Sequence, residues 1–265
     1  MDPEHMAALL ANASAQLRGP MSSLYMAISR IAPASARRQD PDLDARAAAL
    51  DQSYYQLLRL VNNLSAFQAL ESGKPMRMRD QDLAAFAAGI FGQVEPLARC
   101  RSLTLRFLCP MEHLTCAFCA EGLREMLFQL LSNAFKFTPP GGEITLEAGV
   151  SKGQILLAVA DTGPGIPPQE RLSLFSRWRM EEESFPPHGI GLGLAICQGI
   201  ARAHDGVLSL DAGTTQGCRF VFTMPRRLVG PSGRLSDVRR DYSGGFDPCL
   251  VALSDALPPN AFHAR

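Results

Sequence analysis

Gly189-Ile-Gly-Leu-Gly-Leu194 opens a helix, Asp161-Thr-Gly-Pro-Gly-Ile166 follows a strand, and Asn133-Ala-Phe-Lys-Phe-Thr138 closes a helix and runs into Pro139-Pro-Gly-Gly142. The first segment has the form of a phosphate cradle. Glycines let backbone N–H groups approach an anion, and a helix N-terminus favours negative charge. Taken alone, a G-x-G-x-G is equally a flexible loop before a helix, and an Asp such as Asp161, at a strand end before glycines, is usually a turn residue. The three segments in this order carry far more information than any one of them.

Around them, strands of alternating pattern interleave with helices. A helix over Leu83 to Arg99 leads to strands near Leu103 to Leu108 and Leu114 to Cys119. A helix over Gly122 to Phe135 precedes strands at Glu143 to Val150 and Gln154 to Ala160. A helix over Gly193 to Ala203 precedes strands near Val207 to Asp211 and Cys218 to Met224. This order predicts an α+β layer structure, a sheet with helices on one face. Upstream the periodicity is purely helical. Leu10, Leu17, Met21, Leu24, Ile28 and Ile31, then Leu50, Tyr54, Leu57, Val61 and Leu64, recur at heptad spacings, as in bundled helices. Pro33 to Leu43 breaks the pattern and is read as the turn, and Glu71-Ser-Gly-Lys-Pro75 as the end of the hairpin. One hairpin has too little core to stand alone, so a second copy is expected to complete a four-helix bundle. The expected organisation is a helical hairpin over 1–72, an α/β sandwich over 73–225 and a tail of unassigned role over 226–265. Within that tail, Cys249 to Leu257 is apolar enough to dock as a helix.

The ordered segments resemble the ATP-binding domain of bacterial sensor histidine kinases, whose nucleotide fold is shared with gyrase, MutL and a heat-shock chaperone. Leu130 to Thr138 resembles the family's asparagine box, Asp161 to Gly165 its first glycine box, Leu174-Phe-Ser-Arg-Trp178 its phenylalanine box, and Gly189 to Leu194 its second glycine box. The resemblance covers roughly residues 8 to 225. It implies ATP and Mg²⁺ as ligands. Asn133 would hold the metal, with Gln129 as a second metal or water contact, an oxygen-ligand task suited to amides. Lys136 would face the phosphates, Phe137 and Ile166 would pack on the base, and Asp161 would accept the adenine amino group's hydrogen bond. Gly163 and Gly165 would shape that turn. Gly189, Gly191 and Gly193, with Leu194, would form the lid, and Arg179 would reach toward the triphosphate. Gln129 stands where the family often has Asn or an acid; it offers no carboxylate base, which disfavours gyrase-like hydrolysis.

In the same register, Ala11 to Pro20 resembles the phosphoacceptor box, and the accepting histidine falls at Ala15. With Met21 and Ile28 on the seam, residue 15 faces water, so alanine is comfortable there. It is chemically disabling, because a methyl group has no lone pair to attack a phosphate. A His-to-Ala change in a working kinase and a natural pseudokinase both fit. Gln16 replaces the usual acid, and Gly19 has no side chain to position water, so phosphatase activity is expected to be weak or absent. The implied partners are a second copy of the chain and the receiver domain of a response regulator.

The composition narrows the alternatives. Of 265 residues, 46% are hydrophobic and 20% charged, with 26 basic and 26 acidic side chains. That describes a folded chain without the electrostatic footprint of non-specific nucleic-acid binding. The apolar run Leu83 to Gly92 is too short to span a bilayer, and the start has no signal-peptide pattern. A cytoplasmic location is therefore expected, with a membrane involved only through an upstream segment. Met1-Asp-Pro-Glu-His-Met6 reads as a vector-derived leader on a piece of a longer protein. Seven cysteines, an odd and scattered set, suggest a reducing compartment. Cys116 and Cys119 form one C-x-x-C with no second pair, read as buried thiols rather than half a zinc site. His204 is read as a structural residue at a helix end, His188 as a solvated loop residue, and Glu181-Glu-Glu183 as a solvated acidic face.

Overall fold

The computed structural model describes residues 3–171, 174, 191–211, 216–230 and 246–263, with side chains of the first helix from residue 12 onward. Two long helices, α1 (Pro3–Ile31) and α3 (Pro41–Glu71), form the hairpin. The connection is more structured than the predicted turn, because Ala34–Arg37 forms a short helix, α2. Its alanines favour the helical state, and Arg37 folds back to pair with Asp44 at 2.8 Å and Asp51 at 2.6 Å. Helix α3 starts with Pro at its first position and Asp40 as N-cap, whose Oδ1 accepts from the Asp42 and Leu43 N–H groups, satisfying donors that have no intrahelical partner.

The heptad seam divides in two. Met21, Ile28, Tyr54 and Val61 are buried, while Leu17, Leu24, Ile31, Leu50 and Leu57 stay between 45% and 77% exposed. One copy of the hairpin thus covers only part of its own apolar surface. Leu64 and Phe67, further along α3, turn instead into the core of the second layer structure.

That structure runs β1 (Arg79–Asp82), α4 (Leu83–Arg99), β2 (Thr104–Leu108), β3 (Thr115–Phe118), α5 (Ala120–Phe137), β4 (Glu143–Ser151), β5 (Gln154–Asp161), α6 (Pro168–Arg171), α7 (Leu192–Ala203), β6 (Val207–Leu210) and β7 (Cys218–Pro225). A five-stranded sheet has the order β2-β4-β5-β7-β6, with β2 parallel to β4 and the other pairs antiparallel. Strand alternation puts Ile144, Leu146 and Ala148, then Ile155, Leu157 and Val159, then Phe220, Phe222 and Met224 on one face. The face packs under α4, α5 and α7, and full burial of each large apolar side chain contributes roughly 1.5–3 kcal/mol. Strand β1, which pairs with β3, was not anticipated; its sequence, Arg-Asp-Gln-Asp, carries no apolar alternation to read. After β7, α8 (Pro248–Leu253) and a 3-10 turn (Pro259–Phe262) pack back onto α3 and α5.

His204 caps α7 and is buried. Its Nε2 accepts from the Cys119 N–H at 3.1 Å, and Nδ1 lies 2.8 Å from the Ile200 carbonyl, so the neutral Nδ1–H tautomer satisfies both contacts. Burial pushes the imidazole's pKa down. The unfolded chain, with an ordinary value of about 6.5, takes up this proton first, so stability is lost as pH falls below that value. His204→Gln removes the titration, and its melting temperature should fall less steeply than the parent's between about pH 7 and 5. The Cys116 and Cys119 thiols are also buried, Cys116 being pushed up to about 11. No group of three or more metal-ligating side chains occurs among the described residues.

Candidate nucleotide-binding site

Helix α5 carries Gln129, Asn133 and Lys136 at intervals of four and three, hence on one face. Its opposite face, including Leu123, Leu127, Leu130 and Phe135, is anchored in the core. Thr138 ends the helix with its hydroxyl on the Ala134 carbonyl at 2.6 Å. Phe137 is left exposed, and the Lys136 ammonium lies 5.2 Å from its ring centroid.

Asp161 is the last residue of β5. Its Oδ1 accepts from the N–H groups of Gly163 at 2.9 Å and Cys218 at 3.3 Å, leaving Oδ2 without a partner among the described residues. Burial raises the carboxyl above its ordinary range, and the two N–H donors pull the other way. The glycines make this turn possible. A Cβ on Gly163 would sit 2.9 Å from Asp161 Oδ1 and 3.0 Å from the Phe137 carbonyl. The turn is therefore drawn against the end of α5, bringing Asp161 beside Phe137. Gly165 has φ +78°, and a Cβ there would meet the Gly217 carbonyl at 3.0 Å. Ile166 packs against the core, and its carbonyl accepts from Arg171 Nε.

Gly191, with φ +68°, caps α7 in the left-handed region. A Cβ on Gly193 would lie 2.8 Å from Gln129 Oε1, so glycine lets the first turn of α7 press onto the polar face of α5. Leu194 packs on the core behind it. Gly189, Arg179, His188, Glu181 to Glu183 and residues 175–178 lie outside the described residues.

The two amides of α5 differ. Asn133 is partly exposed and makes no hydrogen bond among the described residues, as suits a carbonyl offered to a hard cation. Gln129 is buried and committed. Its Nε2 donates to Asn63 Oδ1 at 2.7 Å and Glu125 Oε1 at 2.8 Å, and its Oε1 accepts from Arg59 at 3.4 Å. Arg59 and Asn63 come from α3 and were missed in the sequence. The available signal was a charge inside Leu57-Leu-Arg-Leu-Val61, in the middle of a helix that buries apolar side chains.

Ala15 and Gln16 are exposed on α1. Pro20 lies inside that helix and removes the N–H that the Gln16 carbonyl would accept. One turn beyond Ala15, Arg18 donates to Asn62 Oδ1 at 3.2 Å and Ser65 Oγ at 3.4 Å. Helix α7 docks on the same part of α3, where a Cβ on Gly199 would meet Leu70. Position 15 and the nucleotide-site helices therefore lie toward the same end of the hairpin.

Residues 119–228 match the family of histidine kinase-, DNA gyrase B-, and HSP90-like ATPases. The hybrid signal transduction histidine kinase D of Dictyostelium discoideum is 30% identical over 227 residues, 81% of this chain and 14% of that protein. The adaptive-response sensory kinase SasA of Rippkaea orientalis is 30% identical over 231 residues, 82% of this chain and 57% of that one. Residues 119–228 thus form an ATPase domain of that family, and the chain as a whole is similar to the transmitter regions of sensor histidine kinases. Full-length ShkA in complex with AMPPNP superposes on the transmitter with a TM-score of 0.64 at 25% identity, covering 86% of this chain and 47% of that one. The catalytic domain of the histidine kinase ThkA shares the fold, with a TM-score of 0.51 at 23% identity, covering 57% of this chain and 97% of that one. The transmitter spans 14% and 57% of the two curated relatives. No helix among its described residues is long and apolar enough to cross a membrane.

Proposed function

We propose that the transmitter binds Mg·ATP between α5, the Asp161 turn and the head of α7, and that this site serves phosphoryl transfer toward the hairpin and on to an aspartate of a response regulator. The observation that carries the reading is Asp161 at the end of β5, whose Oδ1 holds the Gly163 turn against the Phe137 end of α5 while Oδ2 has no partner among the described residues. Such an acceptor selects an amino-bearing base. Phe137 and Ile166 pack on that base, with Gly163 and Gly165 shaping the turn. Lys136, its pKa lowered by burial, brings charge to the phosphates. Gly191, Gly193 and Leu194, at the head of α7, border the phosphates; Gly189 and Arg179, which the resemblance assigns to the same task, lie outside the described residues.

When bound, Mg²⁺ would neutralise phosphate charge. Asn133 is the residue whose free amide fits it, and Gln129 joins only if its carbonyl leaves Arg59. Catalysis by this chain consists of positioning and charge stabilisation, since phosphoryl transfer asks for little covalent chemistry from the protein. With Ala15 in the acceptor position, the chain binds ATP without labelling itself there. The half-exposed stripe of Leu17, Leu24, Ile31, Leu50 and Leu57 supports pairing with a second hairpin into a four-helix bundle.

A second reading, an ATP-binding scaffold without transfer chemistry, is favoured by Ala15 itself. Calorimetry with ATP, with and without Mg²⁺, tests the site. The parent should bind more tightly with the metal, and Asn133→Ala should lose that metal dependence, about tenfold or more in affinity. Appreciable steady-state turnover that Asn133→Ala abolishes would instead assign the chain to the ATP-hydrolysing relatives.

A further inference from the structure

The C-terminal segment is built into the junction between hairpin and sandwich. Leu253, Leu257 and Phe262 enter the main core. The side chains of α3 brace the segment, Gln52 donating to the Leu257 carbonyl at 2.8 Å and Gln56 to the Ser254 carbonyl at 3.4 Å. Arg37 donates to the Phe262 carbonyl at 2.9 Å, and His263 Nδ1 lies 2.6 Å from Asp44 Oδ2. This bracing fixes Asp255, whose carboxylate takes Arg59 Nη1 at 2.8 Å.

Arg59 is buried and divided between two sides. Nη1 faces Asp255 on the tail. Nη2 faces Gln129 Oε1, the atom against which Gly193 in the first turn of α7 is packed. Nε is buried with no partner among the described residues. An unpaired buried donor is unfavourable, and this arrangement leaves the guanidinium's hydrogen-bonding capacity unfilled. A planar fork of donors beside the glycine-bearing head of α7 matches a phosphate, which takes such a fork through two oxygens. Asp255 competes for the same fork. Its negative charge also acts on Lys136, while the Arg59 cation opposes it there, so the three groups share one electrostatic neighbourhood at the phosphate-facing side of α5.

We propose that Arg59 is a further phosphate-contacting residue of the nucleotide site, and that Asp255 on the C-terminal segment holds its guanidinium until the terminal phosphate of a nucleoside triphosphate competes for it. The terminal phosphate is the relevant one because Arg59 belongs to the hairpin, the side toward which that phosphate must point for transfer. The tail then acts as a latch that ties nucleotide affinity to its own docking. The inference rests on the nucleotide-site reading above.

The test is calorimetric titration of the full chain with Mg·AMPPNP and with Mg·ADP, for the parent, Arg59→Gln, Asp255→Asn and the double variant. Arg59→Gln should weaken AMPPNP about tenfold or more, as for loss of a charged hydrogen bond, and change ADP by much less. Asp255→Asn should strengthen AMPPNP several-fold, and the gain should vanish in the double variant. An AMPPNP-to-ADP affinity ratio unchanged by Arg59→Gln overturns the proposal, as does weaker AMPPNP binding in Asp255→Asn. If thermal melting shows Arg59→Gln unfolded, Asp255→Asn decides alone: tighter AMPPNP with unchanged ADP supports the latch, and any other result overturns it. A parent that binds neither nucleotide removes the nucleotide-site reading itself, a result distinct from normal binding that ignores Arg59.

Discussion

Asp161→Ala should lower ATP affinity about 100-fold in calorimetry while leaving a folded protein, because on the proposed reading it removes the half-buried acceptor that the base needs. The carboxylate has two tasks on two oxygens. Oδ1 holds the turn through the N–H groups of Gly163 and Cys218, and on the proposed reading Oδ2 takes the base. Asp161→Asn separates them. Its amide oxygen can keep the two backbone donors, but its NH₂ then faces the adenine amino group, donor against donor. ATP affinity should fall nearly as far as with alanine, while melting should stay close to that of the parent. The same NH₂ suits a base carrying a carbonyl at that position, so the asparagine variant should shift preference toward GTP. Undiminished ATP binding by Asp161→Asn would falsify the assignment of Oδ2 to the base.

Ala15→His should create a labelled residue where the parent has none. With Mg²⁺ and γ-labelled ATP, mass spectrometry should find phosphate at position 15 of the variant and no phosphate there in the parent. The substitution lies on an exposed position of α1, where side-chain changes alter stability by no more than about 0.5 kcal/mol. A gain of label therefore reports chemistry rather than folding. The imidazole supplies the lone pair that the methyl lacks, in the turn that Pro20 loosens and toward the end of the hairpin where α7 docks. Gln16 orients but does not accept the imidazole proton, so labelling should be slow. Gly19 leaves no side chain to place a hydrolytic water, so the label, once formed, should persist. No label in the variant with ATP binding retained would favour the scaffold reading.

Glycine spacing and strand alternation were enough to locate the nucleotide domain's elements. Helix α4 and strands β4, β5 and β7 fall within a residue or two of expectation, because their apolar periodicity is local and strong. Strand β1 escaped because a polar edge strand has no periodicity and exists only through its ladder with β3. The heptads announced paired helices correctly but not their division. Nothing local says that Tyr54 and Val61 are covered within one chain while Leu50 and Leu57 are left half exposed.

The sequence by itself put Asn133, Lys136 and Asp161 forward as nucleotide-site residues, through the family resemblance that their order along the chain carries. Only the tertiary structure decided that Gln129 is spent on Arg59, Asn63 and Glu125, and that Asp255 reaches into the same cluster. Arg59 and Asp255 are separated by 196 positions. A contact at that range depends on how hairpin, sandwich and tail pack together, which no local pattern of apolar and polar residues encodes.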